Sequence, residues 1–100
     1  MIYVVKGRET VTGLSASKGF TAIQIPPTTT KLNVIYAIAQ PVDGDIRMCM
    51  DGTVPTSTRG IKINEDTIFE VWGSAALIAF RCINDGGTAK LEVIYMGQGG

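Results

Sequence analysis

Apolar and polar residues alternate with a period of two along most of this chain, the spacing that sends successive side chains to opposite faces of a β-strand. In Leu32 to Ala39, Leu32, Val34, Tyr36 and Ile38 fall on one face and Ile35, Ala37 and Ala39 on the other. Neither face carries a charge, which predicts a central strand covered on both sides. Ile46, Met48 and Met50 alternate with Arg47, Cys49 and Asp51, giving one apolar and one mixed face. That strand is expected beside solvent or an interface.

Further strands follow from the same rule. Ile2 to Lys6 and Glu9 to Thr12 read either as an opening pair around Gly7-Arg8 or as one longer strand with a bulge. Phe20 to Ile25 is a short strand that Pro26-Pro27 stops, because proline cannot donate to a ladder, and the link that follows is extended. Ile61 and Ile63 straddle Lys62, and Phe69 and Val71 follow an Asn64-Glu65-Asp66 turn, a hairpin in outline. Ala76, Ile78, Phe80 and Cys82 alternate with Leu77, Ala79, Arg81 and Ile83, so "AALIAF" is read as strand because it is too short for an independent helix. "NDGG" then supplies turn residues leading to Leu91, Val93 and Tyr95, and these last two strands are expected to pair. No long apolar stripe of helical period is present. The expected fold is all-β, a single antiparallel β-sandwich of jelly-roll or Ig-like type over residues 1–100.

The segment "MCMDGTVPTSTRG" interrupts this pattern with polar residues. Asp51-Gly52 admits positive φ, Pro55 imposes an extended path, and Thr53, Thr56, Ser57 and Thr58 can satisfy nearby backbone groups. It is expected to build a rigid corner and to do no chemistry.

Charge adds little to the picture. Nine Lys and Arg balance nine Asp and Glu, so no net field draws the chain to nucleic acid or to an anionic membrane. Charged residues make up 18% and hydrophobic ones 45%, a low charge density that favours burial against a partner or a second copy. The apolar runs are far shorter than the roughly 20 residues of a membrane-spanning helix. The opening "MIYVVKGRET" reads as a first strand and not as a signal peptide. Cys49 and Cys82 lie inside strand-like runs and are expected as buried free thiols.

Composition excludes most familiar catalytic chemistries. The chain has no histidine, which removes the Ser-His and Cys-His pairs, and its two cysteines lack the spacing of a metal knuckle. Asp43-Gly44-Asp45 looks like the start of a calcium loop, but Arg47 stands where the third oxygen donor would. It is read as a turn. Glu65 and Asp66, adjacent on a turn, and the Asp51/Arg59 set are read as solvated groups. Asp43, Asp45 and Glu65 would suggest an enzyme only if they met in one cleft. No catalytic residue, metal or cofactor is expected. Trp72, Tyr36, Met48 and Met50 are the candidate interface residues, with a stacking platform for a glycan at Trp72 and the Thr53 to Arg59 loop as the alternative.

A set of short pieces carries a resemblance: Ile46-Arg47, Asp51-Gly52-Thr53-Val54-Pro55-Thr56, Gly60, Leu77 with Ala79-Phe80, Ile83, and Gly87-Thr88-Ala89 through Tyr95. In this C-terminal half the chain resembles small β-rich proteins encoded among the virion genes of tailed bacteriophages. The resemblance implies a non-enzymatic accessory structural component: a capsid decoration or cement protein, or a neck, tail or head-fibre part. It implies location in the virion after assembly in the host cytoplasm. The implied partner is the major capsid protein or another virion protein. Self-association is implied too, with a trimer as the analogy from capsid sites. Neither nucleic acid nor membrane is an implied partner, and the resemblance carries over no catalytic residue.

Overall fold

The structure, a computed structural model, describes residues 3–20 and 34–98. Its elements are β1 (Tyr3–Val11), β2 (Val34–Val42), β3 (Ile46–Cys49), β4 (Ile61–Ile63), β5 (Phe69–Trp72), helix α1 (Ser74–Ala79), β6 (Arg81–Asn84) and β7 (Lys90–Gln98). The fold is all-β, as the alternation predicts. The strands form two antiparallel sheets, sheet A in the order β1-β7-β2-β5 and sheet B in the order β4-β3-β6. The expected strand at 20–25, apart from Phe20, and the extended link after it lie outside the described residues.

β7 organises sheet A because its alternation is the strictest. Leu91, Val93 and Tyr95 are buried while Lys90, Ile94 and Gln98 are exposed, and both of its edges are occupied, by β1 and by β2. The opening segment is one strand with a bulge, the second of the two readings above: its register shifts between Val5 and Gly7. β2 carries a matching shift between Val34 and Tyr36. That shift corrects the expected face assignment, since Val34 joins the core with Ala37 and Ala39 while Tyr36 turns to the opposite side. The carbonyl of the displaced Ile35 accepts the Gly73 N–H at 2.9 Å, so the bulge is held by the end of β5.

Two expected pairings and one expected strand are corrected. β4 and β5 do not form a hairpin: β4 pairs with β3 in sheet B and β5 with β2 in sheet A. The turn between them takes the chain across the core. Asp66 adopts φ 68°, its N–H donates to the Pro41 carbonyl at 2.8 Å, and the Gln40 amide donates to the Asp66 carbonyl at 3.0 Å. Pinned to the end of β2, the chain emerges beside sheet A. β6 and β7 likewise part company, β6 pairing with β3 and β7 with β1 and β2.

The third correction is "AALIAF", which forms helix α1 and not a strand. Gly73 at φ 93° ends β5 in a conformation that L side chains rarely adopt, and its carbonyl accepts the Leu77 N–H at 3.0 Å. One helical turn suffices because Leu77 is then fully buried and Phe80 caps the core. Tertiary burial outweighs the poor intrinsic stability of so short a helix.

Both sheets share a single hydrophobic cluster. Sheet A contributes Val11, Val34, Ala37, Ala39, Val71, Leu91, Val93 and Tyr95, and sheet B contributes Ile46, Met48 and Cys82. Phe20 closes it, stacked on Phe80 with centroids 4.3 Å apart and edge-on to Tyr95 at 5.6 Å. The segment leading to Phe20 runs along β6: Lys18 and Cys82 exchange both backbone hydrogen bonds, and Arg81 donates to the Ser17 hydroxyl and carbonyl.

The polar segment after β3 is the loop of the β3–β4 hairpin, and its polar side chains satisfy nearby backbone groups in the way its composition predicts. Asp51 accepts the Thr53 N–H, Thr56 and Arg59 bridge, and Pro55 is fully buried. Gly60, at φ 111°, has no space for a side chain, because a Cβ there would stand 3.0 Å from the Met48 carbonyl oxygen.

The helix assignment is testable by truncation. Leu77→Ala should cost about 2–5 kcal/mol in urea unfolding, whereas Ile78→Ala, at a side chain 53% exposed, should cost under about 1 kcal/mol. A strand at 75–80 with Ile78 inward predicts the reverse order.

Candidate functional site

Sheet A turns one face to the core and the other outward. On the outer face, the pairing registers align side chains in rows that cross the strands. One row reads Val5, Met96, Tyr36, Trp72; the next reads Arg8, Ile94, Ile38, Glu70; a third reads Thr10, Glu92, Gln40. The first row and the middle of the second are apolar.

An aromatic trio dominates the upper end of this face. The Tyr36 and Trp72 rings stack with centroids 3.9 Å apart and planes 8° from parallel, and Tyr3 stands edge-on to both at 5.5 and 5.9 Å. These are the offset-stacked and T-shaped arrangements that ring quadrupoles favour. The Trp72 indole N–H donates to Glu70 Oε1 at 2.9 Å, which orients the indole. Tyr36 is buried beneath its neighbours, but Trp72 is 48%, Val5 63% and Ile94 40% exposed. The exposed side chains thus form an aromatic and aliphatic area on the outer face of sheet A. Arg8 lies at one end of the second row, its guanidinium 3.9 Å from Glu92 with the side chain 74% exposed, and exposed Glu70 lies at the other end.

The structure therefore unites two of the four residues expected at an interface, Tyr36 and Trp72. It separates the other two. Met48 is buried in the core of sheet B, because its strand face is the inward one, and so presents no surface to a partner; Met50, past the end of β3, is 39% exposed. Tyr3, Arg8, Glu70 and Ile94 escaped the sequence reading. The bulges in β1 and β2 break the period of two that would have placed Tyr3, Arg8 and Tyr36 together.

The acidic groups are engaged in holding turns. Asp45 Oδ1 accepts the Glu65 N–H at 2.7 Å and Oδ2 lies 3.6 Å from Lys62 Nζ, while Asp43 pairs with Lys90 at 3.2 Å. Asp85 sits between Arg47 Nε at 3.4 Å and Lys62 Nζ at 3.7 Å. This network ties together the turns that follow β2, β4 and β6. Among the described residues no three histidine, cysteine, aspartate or glutamate side chains converge as metal ligands. A pocket of about 260 Å³ lined by Thr12, Leu14, Asn84 and Ala89 includes only Lys90 as a charged group. Its volume lies just below the roughly 300–1,000 Å³ of drug-sized ligand sites. Hydrogen bonds from Thr53 hold the exposed Asp51 carboxyl below its ordinary value, consistent with its turn role.

Cys49 and Cys82 occupy opposite faces of sheet B, Cys82 with Met48 toward the core and Cys49 with Arg81 away from it. Their sulfur atoms point apart, so no disulfide joins them without rearranging β3 or β6. Burial pushes the Cys82 thiol from its ordinary 9.0 up to about 12, with Arg81 pulling weakly the other way. The folded chain holds this proton more tightly than the unfolded chain. Its contribution to stability is thus complete below pH 9.0 and is lost as pH rises toward about 12. Urea unfolding over that interval should show a steeper alkaline loss of stability in the native chain than in Cys82→Ala, and equal slopes would refute the buried thiol.

Family models, curated proteins and solved structures, searched in turn, give no match to this chain.

Proposed function

We propose that this chain is a non-enzymatic virion structural protein of a tailed bacteriophage, a capsid decoration or cement protein that binds and stabilises the assembled head. The observation that carries the reading is the outer face of sheet A, an ordered aromatic and aliphatic surface on a domain of zero formal net charge. Such a face is suited to burial in a protein contact. The resemblance in the C-terminal half supplies the virion setting, with a neck, tail or head-fibre part as the neighbouring assignment. A decoration protein acts by mass action: it binds the assembled shell and not the free subunits, and so raises the cost of disassembly. The β3–β4 hairpin loop and the turn network keep the domain rigid, which lowers the entropy lost on docking.

Quantitative mass spectrometry of purified particles tests the assignment. Near-equal abundance with the major shell protein is the expected result, a handful of copies would reassign the chain to neck, tail or fibre, and absence would overturn the virion reading.

Half-exposed Trp72 favours one second reading, a glycan-binding module in which the Tyr36–Trp72 stack is the platform. On that reading the native chain binds members of a glycan array and Trp72→Ala abolishes binding while the domain stays folded. If Trp72→Ala instead breaks an oligomer, the assembly reading stands.

A further inference from the structure

We propose that the outer face of sheet A is a twofold contact with a second copy of this chain, formed with the symmetry axis lying in the interface and parallel to the strands. This deepens the assembly reading by naming the occupant of the face on which it rests.

The registers carry the argument. Rotation about such an axis sets β1 against the partner's β5 and β7 against the partner's β2, so each row meets its own reverse. In the second row, Arg8 meets the partner's Glu70 and Glu70 meets the partner's Arg8, while Ile94 packs on the partner's Ile38. In the first row, Val5 meets the partner's Trp72, the Tyr36 ring being covered by its own neighbours Tyr3 and Trp72. Glu92 meets the partner's Gln40 in the third. Every charged end of the second row thus faces the opposite sign across the axis, with the apolar centre on itself. A twofold running across the strands would set Arg8 against the partner's Arg8. The sequence therefore selects one orientation, and an isologous contact of this kind closes at two copies.

The dimensions agree. Three nine-residue strands about 30 Å long and the four-residue β5 give a face on the order of 500 Å² per copy. Two such faces bury roughly 1,000 Å² in total, the size of weak, reversible contacts. Sheets packed face to face cross at about 30°, which displaces the row ends by only about 4 Å, within the reach of Arg and Glu side chains.

Sedimentation velocity on the full chain tests this with charge reversals. The native chain should dimerise at micromolar concentration, and R8E or E70R should each raise the dissociation constant about tenfold or more. The double reversal R8E/E70R, which restores opposite signs across the axis, should return it to within about threefold of native. Ile94→Lys, at the apolar centre, should give a folded monomer by circular dichroism. A native monomer, a trimer, a double variant no tighter than the singles, or an Ile94→Lys dimer would each overturn the proposal. The outcome is separable from that of the function. A monomeric chain abundant in particles refutes the dimer alone, and a dimeric chain absent from particles refutes the virion reading alone.

Discussion

The structure depends on β7 being paired along both edges while only one of its faces is dry. Leu91, Val93 and Tyr95 are sealed in the core, at most 2% exposed, and the strand's backbone groups are shared between β1 and β2. A one-residue slip of this strand would move all three into solvent. The register of β7 therefore fixes the registers of its neighbours, and with them the order of side chains on the outer surface. Tyr95 adds a polar tie, its hydroxyl hydrogen-bonded to the Glu9 carboxylate of β1.

That same constraint explains why bulges occur where they do. Both β1 and β2 shift register opposite the Tyr95–Gly97 end of β7. A bulge adds one residue without breaking the sheet, so the parity of everything beyond it reverses. In β2 this converts a strand that would bury Tyr36 with Val34 into one that buries Val34 and turns Tyr36 outward. The aromatic cluster exists because of a local irregularity in an otherwise regular ladder.

What the sequence discloses follows from this division between regular and irregular. The all-β class, the core roles of Val71, Leu91, Val93 and Tyr95 and the local hydrogen bonding of the loop around Pro55 are legible, since each rests on periodicity or on the chemistry of a single turn. Strand partnership is not legible. Alternation reports that a residue faces a core but not across which sheet, and the turn at Asp66 sends the chain to the other sheet through bonds to Gln40 and Pro41 that no short window contains. Helix α1 was hidden for a related reason: its one fully buried side chain, Leu77, is rewarded by tertiary contact and not by local propensity. Half of the candidate surface was visible as Trp72 and Tyr36, while the grouping of Tyr3, Arg8 and Glu70 depends on the combined registers of four strands, of whose two bulges only the one at Gly7 was marked in the sequence.

The segment that runs along β6 has a consequence for how copies of this chain can grow. By exchanging backbone bonds with Cys82 and holding Arg81 through Ser17, residues 14–18 occupy an edge at which a foreign strand could otherwise add. Strand addition is open-ended, each new member exposing another edge, and leads toward fibres. Contact through a sheet face ends when the faces are used up. Covering the outer side of β6 closes one of the four strand edges at which such addition could begin.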